Sequence, residues 1–471
     1  MVVGGGITGI SCAIELAERL GSGAGVTLVE SDSVLGGKIR SLELGDTRVE
    51  AGPDAFLTRT TQGVEMLEKL GLQGEITRPV IFAANVYVKG KMYAVPKGLM
   101  LGVPVEIGSF LKSASMLSFF GRLRAALDLI LPKTKLASDA TIASLVNARF
   151  GKEVNDILVD PMVGGINAGS TTDLSLDAVV PVMLENYKKS SSRSLARSLL
   201  LHTKARDKNL SKPPESIPFA SLALGLDELV PHAHKYLLEL GVKVLLDSKA
   251  TSITKNESSY IVSVRSGDGS TLNLNAKGVA VATPSYITKT LISDLDAQCA
   301  NKISSIEYAP VAMIIQRYPI NSFERKLTGS GVLIPRTNQG VVTAITFASR
   351  KWSRLNFEDS EILRISTGTF KDSRAIALSD QELSSQVTAE VCEILKATKE
   401  PTQTAIARWP AALAQYRPFH KQLVQEIRKD LASFTGLEIC GSAFDGIGIP
   451  ACIESGKNAA LRLLEPTENI C

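Results

Sequence analysis

The sequence predicts an α/β protein in which a nucleotide-binding sheet is begun, left for a long excursion and closed again at the far end of the chain. Three observations carry that prediction. A glycine loop directly follows an apolar strand at the start, a second strand ends in an acid at Glu30, and strand and helix patterns resume after residue 217. The opening strand is Met1-Val2-Val3, shorter than the usual ~5–6 residues, so the sequence reads as one that starts inside or at the edge of its first strand. Gly4, Gly6 and Gly9 then give the spacing G-x-G-x-x-G, and Ile10, Ala13, Ile14, Ala17 and Leu20 fall on one helical face. In that setting the first glycine makes the turn and the second lets backbone approach a pyrophosphate. The third lets helix and strand pack closely, with the phosphate at the helix's positive end. The beginning is therefore Rossmann-like.

The strand Val26–Val29 ends at Glu30, placed to accept ribose hydroxyls. Residues 60–77 read as a helix carrying Val64, Leu67 and Leu70. Val86–Val88, the turn Lys89-Gly90 and Met92–Val95 read as a hairpin. From 98 to 202 the pattern is largely helical. Within it, Phe110, Leu111, Met116, Phe119, Phe120, Leu123 and Leu127 accompany Lys112, Arg122 and Arg124, which suits a core or pocket wall better than a membrane-surface helix. Residues 188–216 hold eight basic and two acidic residues and read as a solvated, mobile loop. A second orderly block follows: a helix around Leu226–Leu240, strands at Val242–Leu246 and Thr251–Ile253, a hairpin near Gly267–Gly269, and a strand Gly278–Ala282. Residues 290–400 add strands such as Val311–Ile315, Val341–Phe347 and Leu363–Gly368, and a helix around 380–397.

Composition narrows the function classes. A net charge of +4 from 52 basic and 48 acidic residues gives no case for nucleic acid. The six cysteines, Cys12, Cys299, Cys392, Cys440, Cys452 and Cys471, form no C-x-x-C pair, so reduced thiols in a cytoplasmic setting are expected, without a zinc site. No apolar run reaches the ~18 residues of a membrane span. The four histidines, His202, His232, His234 and His420, make no Ser-His-Asp pattern or metal spacing, and His420 reads as a structural hydrogen-bonding residue. No isolated acid-base pair stands out either, so the residues alone name no catalytic group.

The glycine pair Gly36-Gly37, soon after Glu30, resembles the second signature of flavin amine oxidase-like enzymes. The closing stretch Gly441–Lys457 resembles the last FAD-binding segment of the protoporphyrinogen and coproporphyrinogen oxidases. Similar to that family, and in its order, are Gly52–Phe56, Val95–Gly98, Asp160–Gly169, and Arg408-Trp409-Pro410 with Gln415-Tyr416 and His420, so the resemblance covers nearly the whole chain. It implies FAD as cofactor and no metal. The implied contacts are Gly4, Gly5, Gly6, Ile7, Thr8 and Gly9 at the pyrophosphate, Glu30 and Ser31 at the adenosine, and Lys38 near the phosphate and ribose. Gly52, Pro53, Asp54 and Ala55 would run beside the flavin, Ala250 beside the adenine, and Ser442, Ile447, Gly448 and Ile449 would close over the site.

The implied domains are a discontinuous FAD-binding domain (1–60, 217–290 and 405–471), a mixed β-sheet substrate domain (78–97 and 291–404) and a helical insertion (98–216). Asn167 and Gly169 are the implied substrate-pocket residues. The implied reaction is oxygen-dependent, six-electron oxidation of a porphyrinogen to a porphyrin in haem biosynthesis, with peroxide as by-product. Peripheral membrane contact and transient contact with a chelatase are further implications.

Three departures stand out. Ala84 lies where mitochondrial relatives place an arginine, which favours a coproporphyrinogen-type pocket; Asn167 replaces an aromatic residue; and Ala414 replaces a proline. The rival readings are another oxidase of the superfamily, acting on an amine or a carotenoid, and a flavin-holding tetrapyrrole carrier without turnover.

Overall fold

The structure, a computed structural model, describes residues 1–21, 25–208 and 217–465. Among these residues the nucleotide side is a five-stranded parallel sheet in the order Lys243–Leu245, Thr27–Val29, Val2–Val3, Val279–Val281, Leu437–Ile439. Parallel sheets are covered on both faces, which is why the inner strands Val2–Val3 and Val279–Val281 are continuously apolar and buried, while the edge strand Leu437–Ile439 carries Glu438. The first helix (Ile7–Leu20), the last helix (Ile449–Leu464) and the helix Leu229–Glu239 cover one face, joining Ile10, Ile14, Leu28, Ala280 and Ile453 in one core. The other face packs Val3, Val29 and Val281 against the meander 248–276 and the helices Ala297–Ser304 and His420–Leu431. Val2–Val3 is short, yet it is the middle strand, paired on both sides.

A seven-stranded mixed sheet forms the second layer, ordered Gln403–Ala414, Tyr308–Pro319, Ser360–Thr367, Val342–Phe347, Gly331–Leu333, Ala84–Val88, Lys91–Ala94. The last two are the expected hairpin. Lys89 and Gly90 both have positive φ, 51° and 77°, as a tight two-residue hairpin turn requires. The helix Asp380–Leu395 covers this sheet with Leu383, Val387 and Val391, and its start is fixed by a reciprocal capping box between Ser379 and Glu382.

A helical unit has its own core, including Phe110, Leu145, Phe150, Leu158 and Tyr187, with Val86 and Val88 of the second sheet joining it. Asp128 and Arg149 are both fully buried inside it, 2.7 Å apart. Asp128 also accepts from Ser194 Oγ and from the backbone N–H groups of Leu195 and Ala196.

Three expectations are corrected here. The helix expected over 60–77 stops at Lys69, because Gly71 takes φ +73°. The chain then runs through a short 3₁₀ turn into the strand Ile76–Thr77, which pairs with Ser221-Leu222. The basic segment expected as a mobile loop contains the helix Leu195–Lys208, with Leu195, Ala196 and Leu199 buried; its start is held by Asp128, and residues 209–216 lie outside the described residues. Phe110 and Met116 are core, as read, but Phe119, Phe120 and Leu123 are 68%, 78% and 53% exposed, because the short helix Phe119–Ala126 buries Gly121 and Ala125 instead. No helix among the described residues is long and apolar enough to cross a membrane.

Candidate functional site

The opening loop is built by close backbone approach. The Gly4 N–H donates to the Val29 carbonyl at 2.8 Å, and a Cβ on Gly9 would overlap the Gly4 carbonyl oxygen. A Cβ on Gly6 would meet no protein atom within 4 Å. Gly6 is the N-cap of the first helix and makes no side-chain cap, so the N–H groups of Ile7, Thr8 and Gly9 begin the helix at the edge of that open space. Gly36 and Gly37 press against the same loop: Gly36 N–H donates to Gly5 O at 2.9 Å, and a Cβ on Gly37 would stand 3.3 Å from Gly6 Cα.

Glu30 is 9% exposed and accepts from Gly5 N–H at 2.6 Å, Asp32 N–H at 2.8 Å and Ser31 Oγ–H at 2.9 Å. Oε1 takes the bonds from Ser31 and Asp32, while Oε2, bonded only by Gly5 N–H, keeps a lone pair for a further donor. Ala250 lies on the neighbouring strand Ser248–Asn256, which is tied to Glu30 through Ser248 N–H to Glu30 O at 2.8 Å.

The chain's far end closes on the same place. A Cβ on Gly456 would overlap Thr8 O, so the first and last helices cross with their backbones in contact. Ser11 Oγ donates to Ile453 O at 2.8 Å. Gly448 is the N-cap of the last helix, preceded by Ile447 and followed by Ile449 and Pro450. Ser442 sits in the approach loop, where its carbonyl accepts from Tyr416 Oη at 2.7 Å, and Tyr416 Oη in turn accepts from Gly446 N–H at 2.7 Å. Two helix N-termini therefore face a glycine-lined space, the arrangement that favours a bound pyrophosphate. The residues present fit a dinucleotide cofactor.

The other expected residues make the following contacts. Lys38 reaches across to the other layer, donating to Ala412 O with its ammonium 5.8 Å from the Tyr308 ring centroid; burial lowers its pKa. A Cβ on Gly52 would overlap Lys38 O, which fixes the Gly52-Pro53 backbone against the second glycine signature. Asp54 is bonded by three residues of the second sheet and the turn after it. Burial works to raise its pKa, but Lys351 at 2.7 Å and Arg364 at 2.9 Å outweigh it and hold the carboxyl far below the usual range, with Trp352 Nε1 adding a bond at 3.1 Å. Arg364 also donates to Glu50 O at 2.8 Å and Gly52 O at 2.6 Å, so the segment from Glu50 to Ala55 is pinned to the second sheet. Asn167 is buried and bonded inward, its Nδ2 donating to Val163 O at 2.9 Å, and Gly169 O accepts from Arg336 at 2.8 Å.

Sequence reasoning missed Arg364, Lys351 and Arg336, and it named Trp409 without a role; its Nε1 donates to Ala51 O at 3.0 Å. Arg364 left one usable signal, a charge inside the apolar strand Ile362-Leu363-Arg364-Ile365. The described residues contain no cluster that could hold a metal ion.

His420 is 5% exposed and stacks on Tyr416, with centroids 4.0 Å apart and planes 14° from parallel. Burial pushes its pKa down to about 4, against the pull of a bond to the Ala443 backbone and of Asp139 and Asp445. An unfolded histidine protonates near 6.5. The unfolded chain therefore binds the extra proton between those values, and stability is full above pH ~6.5 and falls as pH drops toward 4, by on the order of 2–3 kcal/mol. Urea midpoints at pH 7.5 and 4.5 are expected to drop further in the wild type than in His420→Phe; equal drops would count against this burial effect.

Known proteins resemble the chain along its length. The family described as Flavin containing amine oxidoreductase matches residues 7–464. Coproporphyrinogen III oxidase of Bacillus subtilis (strain 168) is 30% identical, over 98% of this chain and 96% of that protein. Its Staphylococcus aureus namesake is 26% identical, over 98% and 97%. The crystal structure of a protein from Exiguobacterium sp. 255-15, assigned as a protoporphyrinogen oxidase, superposes with TM-score 0.84 at 25% identity, over 98% of both chains. The family match thus runs from the first helix to the last, and the chain belongs to the flavin containing amine oxidoreductase family.

Proposed function

We propose that this protein is an FAD-dependent oxidase that converts coproporphyrinogen III to coproporphyrin III, with protoporphyrinogen IX as the competing substrate. The observation that carries the proposal is the 30% identity to a coproporphyrinogen III oxidase across 98% of the chain. The open space at Gly6, faced by two helix N-termini, supports FAD as the cofactor.

In this reading residues 1–60, 217–290 and 405–471 hold the cofactor. Backbone N–H groups from Gly4 to Gly9 and from Ile447 to Ile449 take the pyrophosphate, while Glu30 and Ser31 take the ribose, beside Ala250. Ser442 and the Gly52–Ala55 backbone flank the flavin. Residues 78–97, 291–404 and 98–216 form the substrate side. When bound, FAD supplies the hydride acceptor, and oxygen restores it with release of hydrogen peroxide, three such turns removing six electrons. The chain's own work is orientation. Arg364 and Asp54 fix the strip at Glu50–Ala55 on the second sheet, and Lys38 ties the second glycine signature to the same sheet through its bond to Ala412 O.

Purified protein is expected to be yellow. Porphyrinogen prepared without oxygen and then admitted to air should gain porphyrin fluorescence faster with enzyme than without; no acceleration with either substrate removes the proposal. Comparing the two substrates then sets the preference. A pocket built for extra carboxylates rejects their absence more strongly than an apolar pocket rejects an added group. The exposed side chains of Phe119, Phe120, Leu123 and Ile130 form the surface on which we propose peripheral membrane contact, and co-sedimentation of the same preparation with anionic vesicles tests it, a supernatant-only result refuting it.

A further inference from the structure

Two adjacent residues reach in opposite directions from the end of the strand Gln403–Ala414. Gln415 is 2% exposed, and its Nε2 donates to Asn167 O at 2.9 Å, while its Oε1 lies where a Cβ on Gly169 would stand. The turn it grips is held in a left-handed conformation at Ala168, φ 48°, with Phe370 N–H donating to Ala168 O at 2.6 Å. Tyr416 is 7% exposed and grips the other loop, donating from Oη to Ser442 O and accepting from Gly446 N–H. Its own carbonyl accepts from Ser175 N–H at 2.8 Å, and the stacked His420 ring blocks the phenol from swinging out.

We propose that Gln415 and Tyr416 are positioning residues which set the separation between the porphyrinogen-facing turn Asn167–Gly169 and the loop Ser442–Gly446 that closes over the flavin. This rests on the reading of those two segments given under Proposed function. The physical basis is that the two side chains leave adjacent positions just past the strand's end and bond to different segments, so one dipeptide ties both segments to a single point. Neither residue touches a reacting atom through its side chain. Both act by holding the Asn167 carbonyl, the Ser442 carbonyl and the Gly446 N–H, and removing a buried partner leaves those groups unsatisfied.

The two arms are separable by measurement. Tyr416→Phe keeps the ring and its stacking but removes both Oη bonds, and it is expected to raise the FAD dissociation constant about tenfold, read by release of flavin fluorescence on ultrafiltration. Gln415→Leu removes the amide at similar volume. It is expected to leave FAD retention within about twofold while raising KM, and the dissociation constant of coproporphyrin, about tenfold, with kcat of the FAD-saturated enzyme changed less than KM. Gln415→Glu keeps an acceptor but loses the donor to Asn167 O, so it should behave like Gln415→Leu.

Unchanged FAD binding in Tyr416→Phe overturns the flavin arm. Equal loss of FAD in Gln415→Leu and Tyr416→Phe also overturns the proposal, because it would show general destabilisation. If Tyr416→Phe does not fold, Tyr416→Trp, which keeps the stack and lacks the hydroxyl, is read in its place by the same criteria. Failure of the wild type to turn over any porphyrinogen would remove the proposed activity, yet the FAD arm and the porphyrin-binding arm would still report on Tyr416 and Gln415.

Discussion

Gly9→Ala protein is expected to purify colourless, with flavin retention reduced about tenfold or more. The added Cβ would overlap Gly4 O, a backbone atom that cannot rotate aside, so either the loop opens or the first helix is pushed away from the sheet. Both movements displace the N–H groups of Ile7 and Thr8 from the space they line. Gly6→Ala is the informative companion. Its Cβ meets no protein atom within 4 Å, so the fold should keep its melting temperature while the flavin is still lost, because the volume belongs to the cofactor. The ratio of visible flavin absorbance to protein absorbance, together with a thermal melt of each variant, checks the pair. Full flavin content in Gly6→Ala would show that the cofactor does not approach the backbone there.

Asp128→Ala is expected to destabilise the helical unit by about 3–5 kcal/mol, since it strands a buried arginine. Arg149 donates from Nε to Asp128 Oδ1 and from a terminal nitrogen to Asp128 O, both at 2.7 Å, and to Pro132 O at 2.6 Å. The same carboxylate receives the first N–H groups of the helix Leu195–Lys208, so its loss also removes a cap worth about 1 kcal/mol. Replacing both partners together, as Asp128→Leu with Arg149→Met, should cost less than Asp128→Ala alone, because no unpaired charge is left behind. Urea unfolding followed by proteolysis within residues 98–208 reads the helical unit separately from the flavin layer. A loss below about 1 kcal/mol in Asp128→Ala would mean that Arg149 finds another partner.

What could be read from the sequence was what depends on neighbours in the chain. The loop at Gly4–Gly9, the acid at Glu30 and the pair Gly36-Gly37 are short-range backbone requirements, and they lie against one another as their spacing implied. The hairpin around Lys89-Gly90 was legible for the same reason. What escaped was set by partners far away in sequence. Nothing near Asp54 announces Lys351 or Arg364, and nothing near Asn167 announces Gln415. The misread helix Leu195–Lys208 belongs to this second kind. Its basic composition suggested a solvated loop, but its first turn is anchored by an aspartate that sits in a different helix pair. The exposed Phe119 and Phe120 show the opposite error, where apolar composition stood in for burial.

The crossing of the first and last helices at Thr8 and Gly456 also has a consequence in time. The sheet's first two strands leave the ribosome early, but its outer strand Leu437–Ile439 and the closing helix come last. At ~5–20 residues per second, the early strands and the glycine loop wait roughly 20–80 s for their second half. During the last part of that interval the edge of Val279–Val281 that Leu437–Ile439 will pair with is uncovered, and no half-made chain can capture flavin tightly. Cofactor loading is thereby tied to completed synthesis, so a chain arrested before residue 437 should remain both colourless and prone to degradation.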